Sequence, residues 1–195
     1  MTQAESKRDE AADELSDAIH AALAGRDDGF RTLYRVVQPG LLRYLKVLVG
    51  PDAEDVASET WLQVVRDLRS FKGDGDAFRR WAVTIGRHRA MDHLRRNQRR
   101  PSIAMPVEAL TELTGADDTE IAAIETLTTE VALELIASLP QDQAEAVLLR
   151  VVVGLDAQSA AQVLGKRSGA VRTAAYRGLK RLAERLNGRD SEHGR

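Results

Sequence analysis

Few side chains in this sequence could carry out chemistry. There is no cysteine, which removes thiol catalysis, disulfides and cysteine-held metal sites together. For metal or acid–base work the candidates are Asp74, Asp76, His88, Asp92 and His93, and metal-assisted hydrolysis needs such groups clustered in a defined geometry. His88 and Asp92 stand four apart on one helical face, a spacing found more often in structural or surface pairs. Glu54 and Asp55 read as solvated or partner-facing acids. A richer constellation is FKGDGDAF at 71–78, followed by Trp81 and arginines from Arg79 to Arg100. Aromatic rings and guanidinium planes stack on unpaired bases, and arginines neutralise phosphate. A glycine-bearing loop beside a rigid helix can form a pocket for a base turned out of a duplex. Taken singly, Phe78 and Trp81 at helical spacing read as core, and Arg95, Arg96, Arg99 and Arg100 suit a solvated helix end.

Charge along the chain supports a polyanionic partner. The formal net charge is −2, but its sign is segregated. From Arg79 to Arg100 eight arginines face one acid, Asp92, for a net of +7. From Lys166 to Arg189 eight cations face Glu184, again +7. Between them, residues 101–149 hold ten acids and no Lys or Arg, a net of −10. Two basic blocks separated by an acidic one suggest two sites on a nucleic acid.

These side chains must be positioned by helices. The 195 residues are 43% hydrophobic and 30% charged, a foldable composition sized for one medium or two small domains. Apolar stripes at helical spacing run through Leu15, Ile19, Ala22 and Leu23, then Phe30, Leu33, Tyr34 and Val37. Pro39-Gly40 is expected to interrupt before Leu41, Leu42, Leu45 and Leu48, and Gly50-Pro51 ends that segment. Val56, Trp61, Val64, Val65 and Leu68 face one way in the next helix, and another spans about 77–96. Residues 101–118 read as a linker with one short helical piece near 107–113. Helical patterns resume from Ile121 and stop at Leu139-Pro140, and Val151-Val152-Val153, though β-rich, continues a helical pattern. The expectation is all-α: two small helical domains, 12–98 and 119–187, joined by a flexible acidic linker, 99–118. No segment has the apolar run of a signal peptide or membrane span, so a cytoplasmic protein without membrane insertion is expected.

The second domain contains a helix-turn-helix. DAQSAAQVL at 156–164 is a short amphipathic helix with an Asp cap, Gly165 supplies a positive φ for the turn, and Ser168 can cap the next helix. In that helix Val171, Ala174, Ala175, Leu179 and Leu182 face inward. Arg172, Thr173, Tyr176, Arg177 and Lys180 lie on other faces, as suits a recognition helix whose first side chains reach base edges. A capped surface hairpin with solvated charges is the plainer reading.

Several stretches together resemble the extracytoplasmic-function (ECF) group of bacterial RNA polymerase sigma factors. These are FRTLY (30–34), DAEDV (52–56), ETWL (59–62), FKGDGDAF (71–78) and, after Trp81, IGRHRAMDHLRR (85–96). The second half adds LPQDQ (139–143), Leu149-Arg150, Gly154-Leu155, AQVLG (161–165), GAVR (169–172) and YRGL (176–179). In order and spacing they span about residues 12–186. The resemblance implies a non-enzymatic transcription initiation factor without cofactor or metal, which binds core RNA polymerase, directs it to promoters and helps open the DNA. Asp52, Glu54, Asp55, Glu59, Trp61 and Gln63 would then dock on the basic β′ clamp helices, and the second domain would meet the β flap. Phe71, Lys72 and Asp74 would lie in the loop that captures a flipped non-template base of the minus-ten element. Arg79, Arg80, Arg87, His88, Arg95 and Arg96 would line the adjoining single strand and duplex. Ser168, Arg172, Thr173, Tyr176, Arg177 and Lys180 would contact the minus-thirty-five element. An anti-sigma factor is a further implied partner, and the place of action would be the nucleoid. His88 stands where the family often has Asn, which would make base contacts there pH-sensitive. Gly86 stands for a more usual Ala and is expected to weaken its helix by roughly 0.5–1 kcal/mol.

Two other readings stay open on the residues alone. An ordinary helix-turn-helix regulator with a sensor half would bind duplex DNA by itself as a dimer. A nucleic-acid-processing enzyme would use the His and Asp candidates above. A scaffold or anti-sigma-like protein is disfavoured by the two basic blocks.

Overall fold

The computed structural model describes residues 3–99 and 120–192, and their regular structure is entirely helical. In the first half α1 (Gln3–Leu23) pairs with α2 (Asp27–Val49), and α3 (Ala53–Asp67) and α4 (Gly75–Arg99) complete a four-helix unit. α1 ends at Gly25, whose φ of 79° turns the chain, with Arg26 N–H returning to the Ala21 carbonyl at 3.0 Å. Asp27 and Asp28 then open α2, where the helix dipole favours acids. The core is built from Leu15, Leu33, Leu41, Tyr44, Leu45, Val56, Val64, Phe78 and Val83, all fully buried.

The expected break at Pro39-Gly40 does not occur, and α2 runs through it. An interior proline removes one helical hydrogen bond and costs about 3 kcal/mol. Burial of Leu33 and Val37 before it, and of Leu41, Tyr44 and Leu45 after it, keeps both sides on one axis. Four residues assigned inward by periodicity are instead exposed: Leu23 (44%), Tyr34 (44%), Val65 (55%) and Leu179 (44%). Gly86 also has a role that helix propensity alone misses. A Cβ there would sit 2.7 Å from Leu41 Cδ1, so the glycine permits α4 to cross α2 closely. Its propensity loss is exchanged for that packing.

In the second half α5 (Glu120–Ala137) leads through Pro140 into α6 (Gln141–Val147) and a wide turn, Leu148–Val152, with π-type hydrogen bonding. Val151 and Val152 therefore stay helical, and Val153, just past the turn, reaches back with its N–H to the Leu148 carbonyl at 2.9 Å. α7 (Ala157–Leu164) and α8 (Ser168–Glu192) follow. Asp156 caps α7 by accepting from Ser159 N–H at 2.6 Å, and Gly165 is left-handed with φ 63° and ψ 33°. α8 starts at Ser168 itself, so that serine sits in the first turn rather than at the capping position ahead of it. The linker expected over 99–118, with its short helical piece, lies outside the described residues apart from position 99.

The two halves pack against each other. Around Gly40, α2 meets the Leu148–Val152 turn, where a Cβ on the glycine would lie 3.4 Å from the Val152 carbonyl oxygen. α4 touches α7, and Arg87 on α4 pairs with Glu145 on α6.

Candidate nucleic-acid and polymerase interfaces

The 71–78 segment is a short loop, 71–74, running into the first turn of α4, and it is held at that junction. Asp74 Oδ1 accepts from Ala77 N–H at 2.8 Å and so begins α4, while Gly75 N–H donates to Ser16 Oγ at 2.9 Å. Gly73 has φ 154°, and a Cβ there would meet Ala77 Cβ at 2.8 Å and Phe71 Cζ at 3.1 Å. The Phe71 ring packs on Phe78 (5.5 Å, edge to face) and Trp81 (5.0 Å). Phe78 is wholly buried and Trp81 packs against the core, as helical spacing suggests. Phe71 is thus an anchor under the loop, and Lys72, Gly73 and Asp74 are its exposed members.

The cations of α4 differ in availability. Arg79 is buried and bonded to Asp76 at 3.2 Å, so in this conformation it faces protein rather than solvent. Arg80 is half-buried, and His88 is exposed. Arg87 donates from Nε to Glu145 Oε2 at 2.9 Å. Burial works against its positive charge, but the bond and the charge of Glu145 prevail, and its pKa is raised. Arg95 pairs with Asp92 at 3.3 Å and Arg96 with Glu59 at 3.8 Å, both on the surface. Asp92 is thereby committed to a cation, not to His88.

Asp52, just ahead of α3, and the polar side chains of α3 lie beside this helix. Asp52 Oδ2 is 2.8 Å from His93 Nε2, and Gln63 Oε1 accepts from Arg89 Nε and Nη2 at 3.1 and 2.8 Å. Glu54 and Asp55 are exposed and Glu59 is half-buried. Trp61 does not join them at the surface. It is 6% exposed, its indole N–H donates to Gln38 Oε1 at 2.7 Å, and its ring packs on Phe30 and Tyr34. A docking role assigned to Trp61 must therefore be indirect, through the packing that holds α3. Instead α3 exposes Leu62 (65%) and Val65 (55%). The sequence signal for them was available: both are large apolar residues, and Leu62 lies off the stripe that faces the core.

On α8, Arg172, Thr173, Tyr176, Arg177 and Lys180 are all exposed and form a single stripe, with Tyr176 at 70%. Val171 and Ala175 on the opposite side are buried against α7 and α6. Thr173 Oγ1 donates to the Gly169 carbonyl at 3.0 Å, and Lys180 Nζ is 3.9 Å from Glu184. This is the geometry by which a helix-turn-helix offers side chains to a major groove.

Comparison with known proteins accounts for both halves. The Sigma-70 region 2 family matches residues 33–100, and the Sigma-70 region 4 family matches residues 129–182. The chain is 35% identical over 181 residues to the ECF RNA polymerase sigma factor SigD of Mycobacterium tuberculosis, covering 89% of this chain and 84% of that one. It is 32% identical over 174 residues to the ECF RNA polymerase sigma factor BldN of Streptomyces coelicolor, covering 88% of this chain and 66% of that one, just under two thirds of BldN's length. In fold it is similar to the sigma factor RpoE of Bartonella quintana, solved with the anti-sigma factor NepR, with a TM-score of 0.59, 22% identity, and coverage of 81% and 96% of the two chains. Such factors are transcription initiation subunits rather than enzymes: they bind core RNA polymerase and direct it to promoter DNA. Among the described residues no helix is long and apolar enough to cross a membrane. With matches to both regions in order along the chain, this protein belongs to the ECF group of sigma-70 family RNA polymerase sigma factors.

Proposed function

We propose the following division of work, with residues 12–98 and 119–187 as the two functional units. Exposed Glu54 and Asp55, with half-buried Asp52, Glu59 and Gln63, dock on the β′ clamp helices, and Leu62 and Val65 add an apolar contact beside them. The 71–78 loop holds an unstacked non-template base of the minus-ten element, with Lys72 and Asp74 at its surface and Phe71 bracing it from below. Arg80, Arg87, His88, Arg95 and Arg96 follow the strand along α4, and Arg79 braces the start of that helix through Asp76. The second unit meets the β flap and lays the α8 stripe in the major groove of the minus-thirty-five element. No nucleotide hydrolysis is needed. Turning a base out costs a few kcal/mol, which pocket contacts and the phosphate grip of α4 must offset. An anti-sigma factor is a regulatory partner in this reading, and the chain acts in the bacterial cytoplasm on the nucleoid.

The observation that carries the reading is the stripe Arg172, Thr173, Tyr176, Arg177 and Lys180, exposed along one face of a helix whose other face is core. A gel-shift comparison on a forked promoter fragment tests it. The chain alone should bind weakly and core polymerase alone without sequence preference, and only the two together should give a specific complex. Tight specific binding by the chain alone, as a dimer, would replace this reading with that of an ordinary helix-turn-helix regulator.

A further inference from the structure

α1 carries none of the residues proposed above to meet polymerase or promoter, yet it touches the end of the loop assigned to the minus-ten base. Gly75 opens α4, so its backbone N–H has no carbonyl within that helix to donate to. Ser16 Oγ on α1 accepts from that N–H at 2.9 Å, from 59 positions away in the chain. The same hydroxyl donates to the Ala12 carbonyl at 2.9 Å, one turn earlier in α1. This back-bond to the helix fixes the hydroxyl, and a lone pair is left facing Gly75.

Two glycines seat α1 closely on its neighbours. A Cβ on Gly75 would overlap the Ala12 carbonyl oxygen and lie 2.7 Å from Leu15 Cβ. A Cβ on Gly29 of α2 would lie 2.6 Å from Ala21 Cβ and 2.7 Å from the Ala18 carbonyl oxygen. Between these two contacts Leu15, Ala18 and Ile19 are buried. Interiors packed this tightly hold their register, so Ser16 is a rigid point.

What Ser16 holds is one peptide bond from an exposed polar group of the loop. Asp74 Oδ1 is engaged by Ala77 N–H at 2.8 Å, while the residue itself, like Lys72, is exposed. The Asp74 carboxylate turns with the 74–75 peptide, whose nitrogen is the atom bonded to Ser16. Without that bond the loop would divide its polar atoms among several orientations. A base turned out of the duplex gains most from groups that are already placed.

We infer that Ser16 is a positioning residue for capture of the minus-ten base, given the role proposed above for the 71–78 segment. Its hydroxyl fixes the peptide between Asp74 and Gly75, and thereby the direction in which Asp74 and Lys72 meet the base. Phe71 braces the loop from below, and Ser16 holds its far end.

Ser16→Ala removes the hydroxyl at a helical position where alanine is the better helix former, so circular dichroism should show unchanged helix content. The chain assembled with core polymerase is then titrated, by fluorescence anisotropy, with a fork-junction fragment carrying the minus-ten element of a start site mapped by run-off transcription. Each base of its non-template strand is replaced in turn by an abasic site. With the parent chain, one position should cost about 10–100-fold in affinity, as loss of a stacked base requires. With Ser16→Ala the cost at that position should shrink by about fivefold, the weight of one hydrogen bond, and costs elsewhere should not move. Ser16→Thr, which keeps the hydroxyl, should restore the parent's cost. A full cost in Ser16→Ala, even with every probe bound more weakly, overturns the positioning role and leaves base capture standing. An equal loss in Ser16→Thr would assign the effect to the packing of α1 and overturns that role too. If no position is costly in the parent, base capture by the loop falls, and the role of Ser16 falls with it.

Discussion

Trp61 separates two accounts of the α3 face. If it is core, as its burial indicates, removing it should damage stability far more than docking. The indole is 6% exposed, packs on Phe30 and Tyr34, and donates to Gln38. Truncating a buried Trp to Ala costs roughly 3–5 kcal/mol through lost burial and the cavity left behind. The lost hydrogen bond adds about 1 kcal/mol and strands the Gln38 oxygen. At a urea slope of about 2 kcal/mol per molar, Trp61→Ala should lower the unfolding midpoint by roughly 2–3 M, measured by circular dichroism at 222 nm. Leu62→Ala, at a side chain 65% exposed, should stay within about 0.5 kcal/mol of the parent. The same variant should weaken binding to core polymerase by about 5–30-fold, as loss of a 1–2 kcal/mol interface contact requires. Core affinity would be read from fluorescence anisotropy of the labelled chain. The reasoning fails if Trp61→Ala keeps its midpoint but loses core affinity, or if Leu62→Ala binds core like the parent.

Three further outcomes are expected. Arg172→Ala and Arg177→Ala, at exposed positions, should each reduce binding of the polymerase complex to the upstream element by about 1–3 kcal/mol without changing the melting temperature, measured by footprinting and calorimetry. Phe71→Ala removes two aromatic contacts, worth roughly 0.5–1.5 kcal/mol each, from beneath the base-capturing loop. Permanganate reactivity of the minus-ten strand should fall while closed-complex binding holds. Burial, and next the charge of Glu145, push the Tyr44 phenol well above its ordinary value near 10. The folded chain therefore keeps a proton that the unfolded chain loses, so this stabilisation is complete below about pH 10 and declines above it by about 1.4 kcal/mol per pH unit. Tyr44→Phe should lack that slope in urea titrations between about pH 10 and 11.5, and equal slopes would place the phenol in water.

Much of the fold was legible because short-range patterns govern helices. Asp156 capping α7, Gly165 closing the turn and the outward Arg172–Lys180 stripe all follow from residue type and spacing within a few positions. What periodicity missed depends on partners distant in the chain. Pro39 is carried through α2 by packing on either side of it. Gly86 is explained by Leu41, 45 positions earlier, and not by helix propensity. Tyr34 and Val65 fall at the edges of their stripes, where only the neighbouring helix decides burial. In the site, the cations and acids were found by type, but their pairings were not. Arg79 with Asp76 is local, whereas Arg87 with Glu145 joins residues 58 apart. An acid inside an acidic run carries no signal that it will be buried against an arginine.

In its role as a sigma factor this chain confers promoter choice on RNA polymerase. Reconstitution with core enzyme, followed by run-off transcription over a fragmented genomic library, tests it most directly. Discrete start sites that require both chain and core, and that share an upstream and a minus-ten element, are expected. Active core that initiates no differently with the chain present would contradict it.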